Sequence, residues 1–321
     1  RMACERLADG NLQTAELSGA IKAMLNALDV IRREKLETHY QFRIHLCNQL
    51  GVLYHRQAQK ASSSGGKDLS KRVASVMKTI QLAGSSFSWF ENGLRFLREG
   101  SAKNVDTRRA EASLYFNMGQ VSELAGDTES ALKHYESAWS LADGFMLYGF
   151  QWKAKFRQAL LLPESEQLDY IIEAIDLLEL APPLDPFPSS DHPLADKLYR
   201  HAVRGFLKQG EQAEALNYAE RSQEQAYVSQ TASRYYDFED EDYRELFEAL
   251  RQSLEKLKDI RADLAEMEIS DNENSRYGRK RARYMKALKK YRDDLNVIRE
   301  ETPELASLFQ VGATPAEEIQ Q

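Results

Sequence analysis

Cysteine is nearly absent: the 321 residues hold two, Cys4 and Cys47. That excludes a disulfide scaffold and a four-cysteine zinc site, and points to a reducing cytoplasm. Proline and glycine are also scarce, at 8 and 16, too few for the turns of a many-stranded sandwich or barrel. Val, Ile and Thr total 29 against 39 Leu and 36 Ala, a balance that favours helices over sheets. Long apolar runs are missing too. The longest uncharged stretch, Thr79–Phe90, is about a dozen residues, against roughly 20 for a bilayer span, so no membrane partner is expected. Glu5 and Asp9 interrupt the start, and nothing there reads as a signal peptide. A net charge of −7 argues against general nucleic-acid binding, although a local basic patch can still bind. Arg1 is not an initiator residue, so the chain is expected to begin inside a longer protein.

What is present is a repeat. In Ala112–Asp143, Tyr115, Met118, Gly119 and Leu124 share one helical face. Gly126-Asp127 breaks that helix, and Asp127 is placed to cap the next. Ala131, Tyr135 and Ala138 then recur at four and three, with small residues for close approach and tyrosines to fill volume. This unit resembles a tetratricopeptide repeat, with Asp143 where the family usually has proline.

Weaker copies follow the same plan. Asp196–Gln223 has Tyr199, Phe206, a Gly210-Glu211 break, Ala215 and Ala219. Ile44–Tyr54 carries Cys47, Leu50, Gly51 and Tyr54, its partner helix postponed by Ser62-Ser-Ser-Gly-Gly66. Thr14–Asp29 reads as a lone second helix with Ala20, Met24 and Ala27. Leu147–Leu162 and Glu164–Ala181 read as one more hairpin around Pro163. The predicted fold is all-α: a degenerate solenoid over 1–233, an antiparallel coiled-coil hairpin over 234–301, and a linker over 302–321. The hairpin rests on apolar residues at 243, 246/247, 250, 254, 257, 260, 264 and 267, then at 284, 288, 291, 295 and 298.

The order of parts resembles bacterial TPR-CHAT proteins, in which repeats precede a caspase-like, separase-related cysteine peptidase domain. The similarity is carried by Ala213–Gln230 (AEALNYAERSQEQAYVSQ) and Pro303–Gln321 (PELASLFQVGATPAEEIQQ). The resemblance implies a Cys-His peptidase beyond Gln321 and a regulatory role for the repeats, which bind a partner and hold or release the peptidase. In some members that partner is an RNA-guided effector complex. A stand-alone adaptor or sensor solenoid without a peptidase is the alternative.

No residue here is expected to be catalytic, and no cofactor or metal is expected. Cys47 lies two residues from His45 and eight from His55, but in the apolar slot of a repeat helix, where a buried small hydrophobe belongs. His192 and His201 lack matching ligands. Ser63-Ser-Gly-Gly-Lys67-Asp68 imitates a phosphate-binding loop but has Ala61 for the first glycine and Asp68 after the lysine.

Two surfaces are predicted to bind. In a tetratricopeptide solenoid the first helices line a concave groove for a protein or peptide partner. That rule selects His45, Asn48, Val52 and His55, then Ser113, Phe116 and Gln120, then Lys197, Arg200 and Arg204. The second surface is a basic stripe: Arg276, Arg279, Lys280, Arg281, Arg283, Lys286, Lys289, Lys290 and Arg292. It reads either as a coiled-coil flank paired with the acidic residues Glu239–Asp242, Glu245, Glu248 and Glu255, or as a surface for RNA or an acidic partner, with Tyr277, Tyr284 and Tyr291 stacking.

Overall fold

The computed structural model describes residues 14–33, 40–64, 69–100, 104–179, 192–231, 241–269 and 275–301. The protein is all-α, with eleven helices and no strand among the described residues. They are α1 (Thr14–Arg33), α2 (Tyr40–Ser63), α3 (Leu69–Gly100), α4 (Val105–Ala125), α5 (Thr128–Gly144), α6 (Tyr148–Ala159), α7 (Glu164–Glu179), α8 (His192–Gln209), α9 (Gln212–Thr231), α10 (Glu241–Glu266) and α11 (Arg276–Glu301). The chain divides into two compact units, up to Leu161 and from Leu162 onward.

In the first unit each helix packs on the next, from α1 to α6, and alternate helices also meet, α2 with α4 and α4 with α6. Local chemistry sets the helix ends. Asn104 and Thr107 form a reciprocal capping box, the Asn104 side chain accepting from the Thr107 N–H at 2.8 Å. Gly126 closes α4 with φ of 78°, a left-handed conformation that suits glycine. Asp127 then starts α5 by accepting from the Ser130 N–H at 3.0 Å.

The small–aromatic–small face of α5 packs as the spacing predicts: Ala131, Tyr135 and Ala138 are fully buried. Tyr135 lies so close to Gly119 that a Cβ there would stand 2.6 Å from its ring. The same geometry recurs one repeat earlier. Phe90 covers Gly51, where a Cβ would stand 2.3 Å from the ring, and Ser86, Phe90 and Gly93 repeat the spacing of four and three. The Ser86 hydroxyl donates to the Gly51 carbonyl at 2.7 Å. The partner of Ile44–Tyr54 is therefore α3. The hairpin runs past the repeat core on both sides of its turn, and the early turns of α3 leave Val73, Val76, Met77 and Ile80 exposed. On α1, Leu17 and Ile21 make the deepest contact, against Leu50 and Leu53, while Ala20 and Met24 are only partly covered.

In the second unit α7 packs on α8, α8 on α9, and α10 on α11. α6 packs on α5 and α4, while α7 takes α8, whose Gly205 receives Leu168 so closely that a Cβ would stand 2.7 Å from it.

The hairpin of α10 and α11 is antiparallel: Ser253 meets Asp294 while Asp263 meets Lys280. Its buried seam is Leu250, Ser253, Leu257, Ile260 and Leu264 against Tyr277, Tyr284, Ala287, Leu288 and Tyr291. Among the described side chains the steps of three and four are those expected, with one shift, while the side chains of Tyr243, Phe247, Leu295 and Ile298 lie outside the described ones. Ser253 replaces Leu254 in the seam, because its hydroxyl donates to the Asp294 carboxylate at 2.6 Å. The Pro303–Gln321 motifs lie outside the described residues.

Candidate peptide-binding groove

Three first helices, α2, α4 and α6, lie side by side in the first unit. Between them opens a cavity of about 340 Å³, lined by Gln41, Ile44, His45, Asn48, Asp106, Thr107, Arg109, Ala110, Ser113 and Phe150. Three residues selected by the repeat rule, His45, Asn48 and Ser113, are brought together there.

A chain of side-chain hydrogen bonds crosses from α2 to α4. The Asn48 amide donates to Ser113 Oγ at 3.1 Å, and the Asn117 amide donates to Asn48 Oδ1 at 2.9 Å. Each amide offers two N–H donors and two acceptor lone pairs. These bonds use only part of this, and Asn48 lies on the cavity wall with capacity left for a ligand. Asp106 and Arg109, 3.7 Å apart, place one charge of each sign at the edge.

The remaining predicted residues lie elsewhere. Phe116 is a core residue: it is 8% exposed and packs on Tyr135 and Phe150, with ring centroids 5.6 and 6.3 Å away. An aromatic off the repeat signature here fills the space between α5 and α6. Val52 is half-buried against the core and Gln120 is half-buried. His55 is buried, and its Nε2 meets the Gln59 amide at 2.9 Å. Its Nδ1 has no partner among the described residues. Burial, then the Arg157 and Arg56 charges, bring its pKa down to about 4, so the imidazole is neutral at ordinary pH.

Lys197, Arg200 and Arg204 lie exposed on α8 in the other unit. Arg200 is clamped by Asp196, Nε to Oδ1 at 3.0 Å, so that stripe is partly neutralised. Cys47 is fully buried and burial pushes its thiol up to about 11 against the opposing Arg43 and Arg95. The thiolate needed of a nucleophile is therefore suppressed. Lys67 and Asp68, of the imitation phosphate loop, lie outside the described residues, as does Cys4.

Gln41, Asp106, Arg109, Asn117 and Phe150 escaped the sequence reading, which started the first helix of this repeat at Ala112. The Asn104-x-x-Thr107 box was the available signal that it starts two turns earlier.

On the hairpin, the described ion pairs run both across the seam and along each helix, and the side chains of Glu239–Asp242 lie outside the described ones. Lys280–Asp263 joins the two helices, while Glu248 pairs with Arg251 on its own helix and Lys290 with Asp294. The three tyrosines offered for stacking are in the seam, 2–5% exposed. No metal-binding cluster occurs among the described residues, and no described helix is long and apolar enough to cross a membrane.

No family model, curated protein or solved structure matches the chain.

Proposed function

We propose that the chain is a protein-interaction module whose α2–α4–α6 groove binds an extended segment of a protein partner. The observation that carries this is the Asn48–Ser113–Asn117 ladder at a 340 Å³ cavity between first helices. Amides at such a wall suit a peptide backbone, which presents alternating donors and acceptors. The exposed apolar residues of α3 add a surface of the kind that marks protein contacts. Following the resemblance to TPR-CHAT proteins, partner binding is coupled to a cysteine peptidase domain that is not among these residues.

The test is a random-peptide display selection on the chain, then titration of the selected peptides. Asn48→Ala with Asn117→Ala should weaken binding at least tenfold while the protein still melts as a helical fold. Selected peptides that bind the double variant as tightly as the parent would exclude this groove. In the gene-length protein, peptidase activity that ignores a bound peptide would leave the adaptor reading in place of the coupled one.

A further inference from the structure

Between Arg276 and Arg292 the chain has nine basic residues and no acidic one, in a protein of net charge −7. Helix α11 sorts them by face. Tyr277, Tyr284, Ala287, Leu288 and Tyr291 are taken up by the seam with α10. Along one edge beside that seam run Arg276, Arg279, Arg283 and Lys286, all exposed. Steps of three, four and three set them about one turn apart, roughly 5.4 Å, over about 15 Å of helix.

Three of these cations are available. Arg276, Arg283 and Lys286 have no ion-pair partner among the described residues. Arg276, Arg279, Lys280 and Arg283 line a cavity of about 640 Å³ at the start of α11, where the helix terminus adds partial positive charge. Two carboxylates share that wall: Asp263, which holds Lys280, and Glu268. The series ends at Lys290, whose ammonium is held by Asp294 at 2.8 Å.

What this edge lacks decides the class of partner. A helical or extended protein partner needs apolar anchors at one-turn intervals, and along this edge of α11 the residues at those intervals are all cations, Met267 and Tyr277 lining only the cavity at its start. The exposed Met285 sits off the edge. A phosphodiester backbone needs only repeated cations. The tyrosines are sequestered, so bases have no stacking platform and the contact carries no sequence preference.

We propose that the Arg276–Arg279–Arg283–Lys286 edge of α11 binds the phosphate backbone of a nucleic acid. This site is separate from the peptide groove, which belongs to the other unit.

The experiment is fluorescence anisotropy of a labelled oligouridylate RNA with the full chain across a salt series. Single-stranded binding loses about 0.7 in log K per decade of salt for each phosphate neutralised. Four contacts then give a slope near −3, and affinity should fall about 20-fold from 50 to 150 mM salt. Arg283→Ala with Lys286→Ala should weaken binding at least tenfold at 50 mM and flatten the slope by about a half. Arg281→Ala with Lys289→Ala removes the same charge from the opposite edge and should cost no more than about threefold. Circular dichroism checks that both variants stay folded. Equal loss in the two variants, displacement of RNA by polyglutamate at equal charge, or no binding at 50 mM would each overturn the proposal.

Discussion

The same three-residue lock occurs once in each unit, and its two copies differ in burial, which makes them a controlled comparison. In the first unit the Tyr135 hydroxyl donates to Glu123 at 2.8 Å, and Arg157 reaches the same carboxylate at 3.3 Å. In the second, Tyr199 donates to Glu179 at 2.8 Å, and Arg221 grips it with two N–H donors at 2.9 and 2.5 Å. The Glu179 and Arg221 side chains are 10% and 14% exposed, against 30% and 22% for Glu123 and Arg157. Burial opposes the Arg221 charge, yet the hydrogen bonds and charge of Glu179 outweigh it and hold the guanidinium protonated. Burial, then Glu179, pushes the Tyr199 hydroxyl well above the phenol range, so it remains a donor. Glu179→Gln preserves shape and removes the charge. It leaves Arg221 with only the exposed Asp176 carboxylate, 3.5 Å away, and breaking the buried pair costs about 3–5 kcal/mol. Glu123→Gln leaves a pair that water can reach and should cost about 1 kcal/mol. With an m-value of about 2 kcal/mol per molar urea, the first variant shifts the unfolding midpoint by about 2 M and the second by about 0.5 M. Urea denaturation followed by circular dichroism reads both. Equal shifts, or a larger shift for Glu123→Gln, would refute the argument from burial.

Three further outcomes are expected. His55 has a folded pKa near 4 against 6.5 unfolded, so the unfolded chain takes up the proton first. Its contribution is intact above pH 6.5, falls by about 3 kcal/mol towards pH 4, and should vanish from the pH–stability profile in His55→Gln. Gly51→Ala drives a Cβ into the Phe90 ring and should destabilise by about 1–3 kcal/mol, whereas Gly84→Ala, with open space around it, should gain about 0.5–1 kcal/mol; thermal melts distinguish them. Iodoacetamide at pH 8 should leave the Cys47 peptide unlabelled by mass spectrometry until urea unfolds the chain, since the thiol is buried and raised to about 11.

The parts of the fold legible in the sequence were those written in local spacing. Ala131, Tyr135 and Ala138 gave the face of α5, and Gly126-Asp127 gave the turn, because both depend on residues a few positions apart. The identity of α3 as partner to Ile44–Tyr54 was harder to read. Its triad, Ser86, Phe90 and Gly93, has serine and glycine where the clearer repeat has alanines, and it lies some twenty residues past the Ser62–Gly66 insertion. Burial and repeat position then competed at the groove. His55 and Phe116 occupy positions that the repeat rule assigns to the surface, yet long first helices leave them beneath neighbouring helices, where His55 loses its proton and Phe116 stacks into the core. On the hairpin, spacing revealed the seam but not which partner each charge would choose. An i, i+3 or i, i+4 carboxylate on the same helix, as for Arg251 and Lys290, reaches a cation as readily as one across the seam.

These packing details bear on binding as well as stability. A groove between three helices recognises a peptide well only if its walls hold their spacing, since ordering them on binding would subtract from affinity. In the first unit Glu123 near the end of α4 bridges Tyr135 of α5 and Arg157 of α6. Gly119 on α4 lets Tyr135 seat without a gap. The polar contacts that tie α4 to α5 and α6 are thus made through Glu123, whereas Asn48, Ser113 and Asn117 join α2 to α4. With Tyr135, Glu123 and Arg157 holding α4, α5 and α6 at a set spacing, the α4–α6 wall of the groove needs no reordering when a ligand meets the amides.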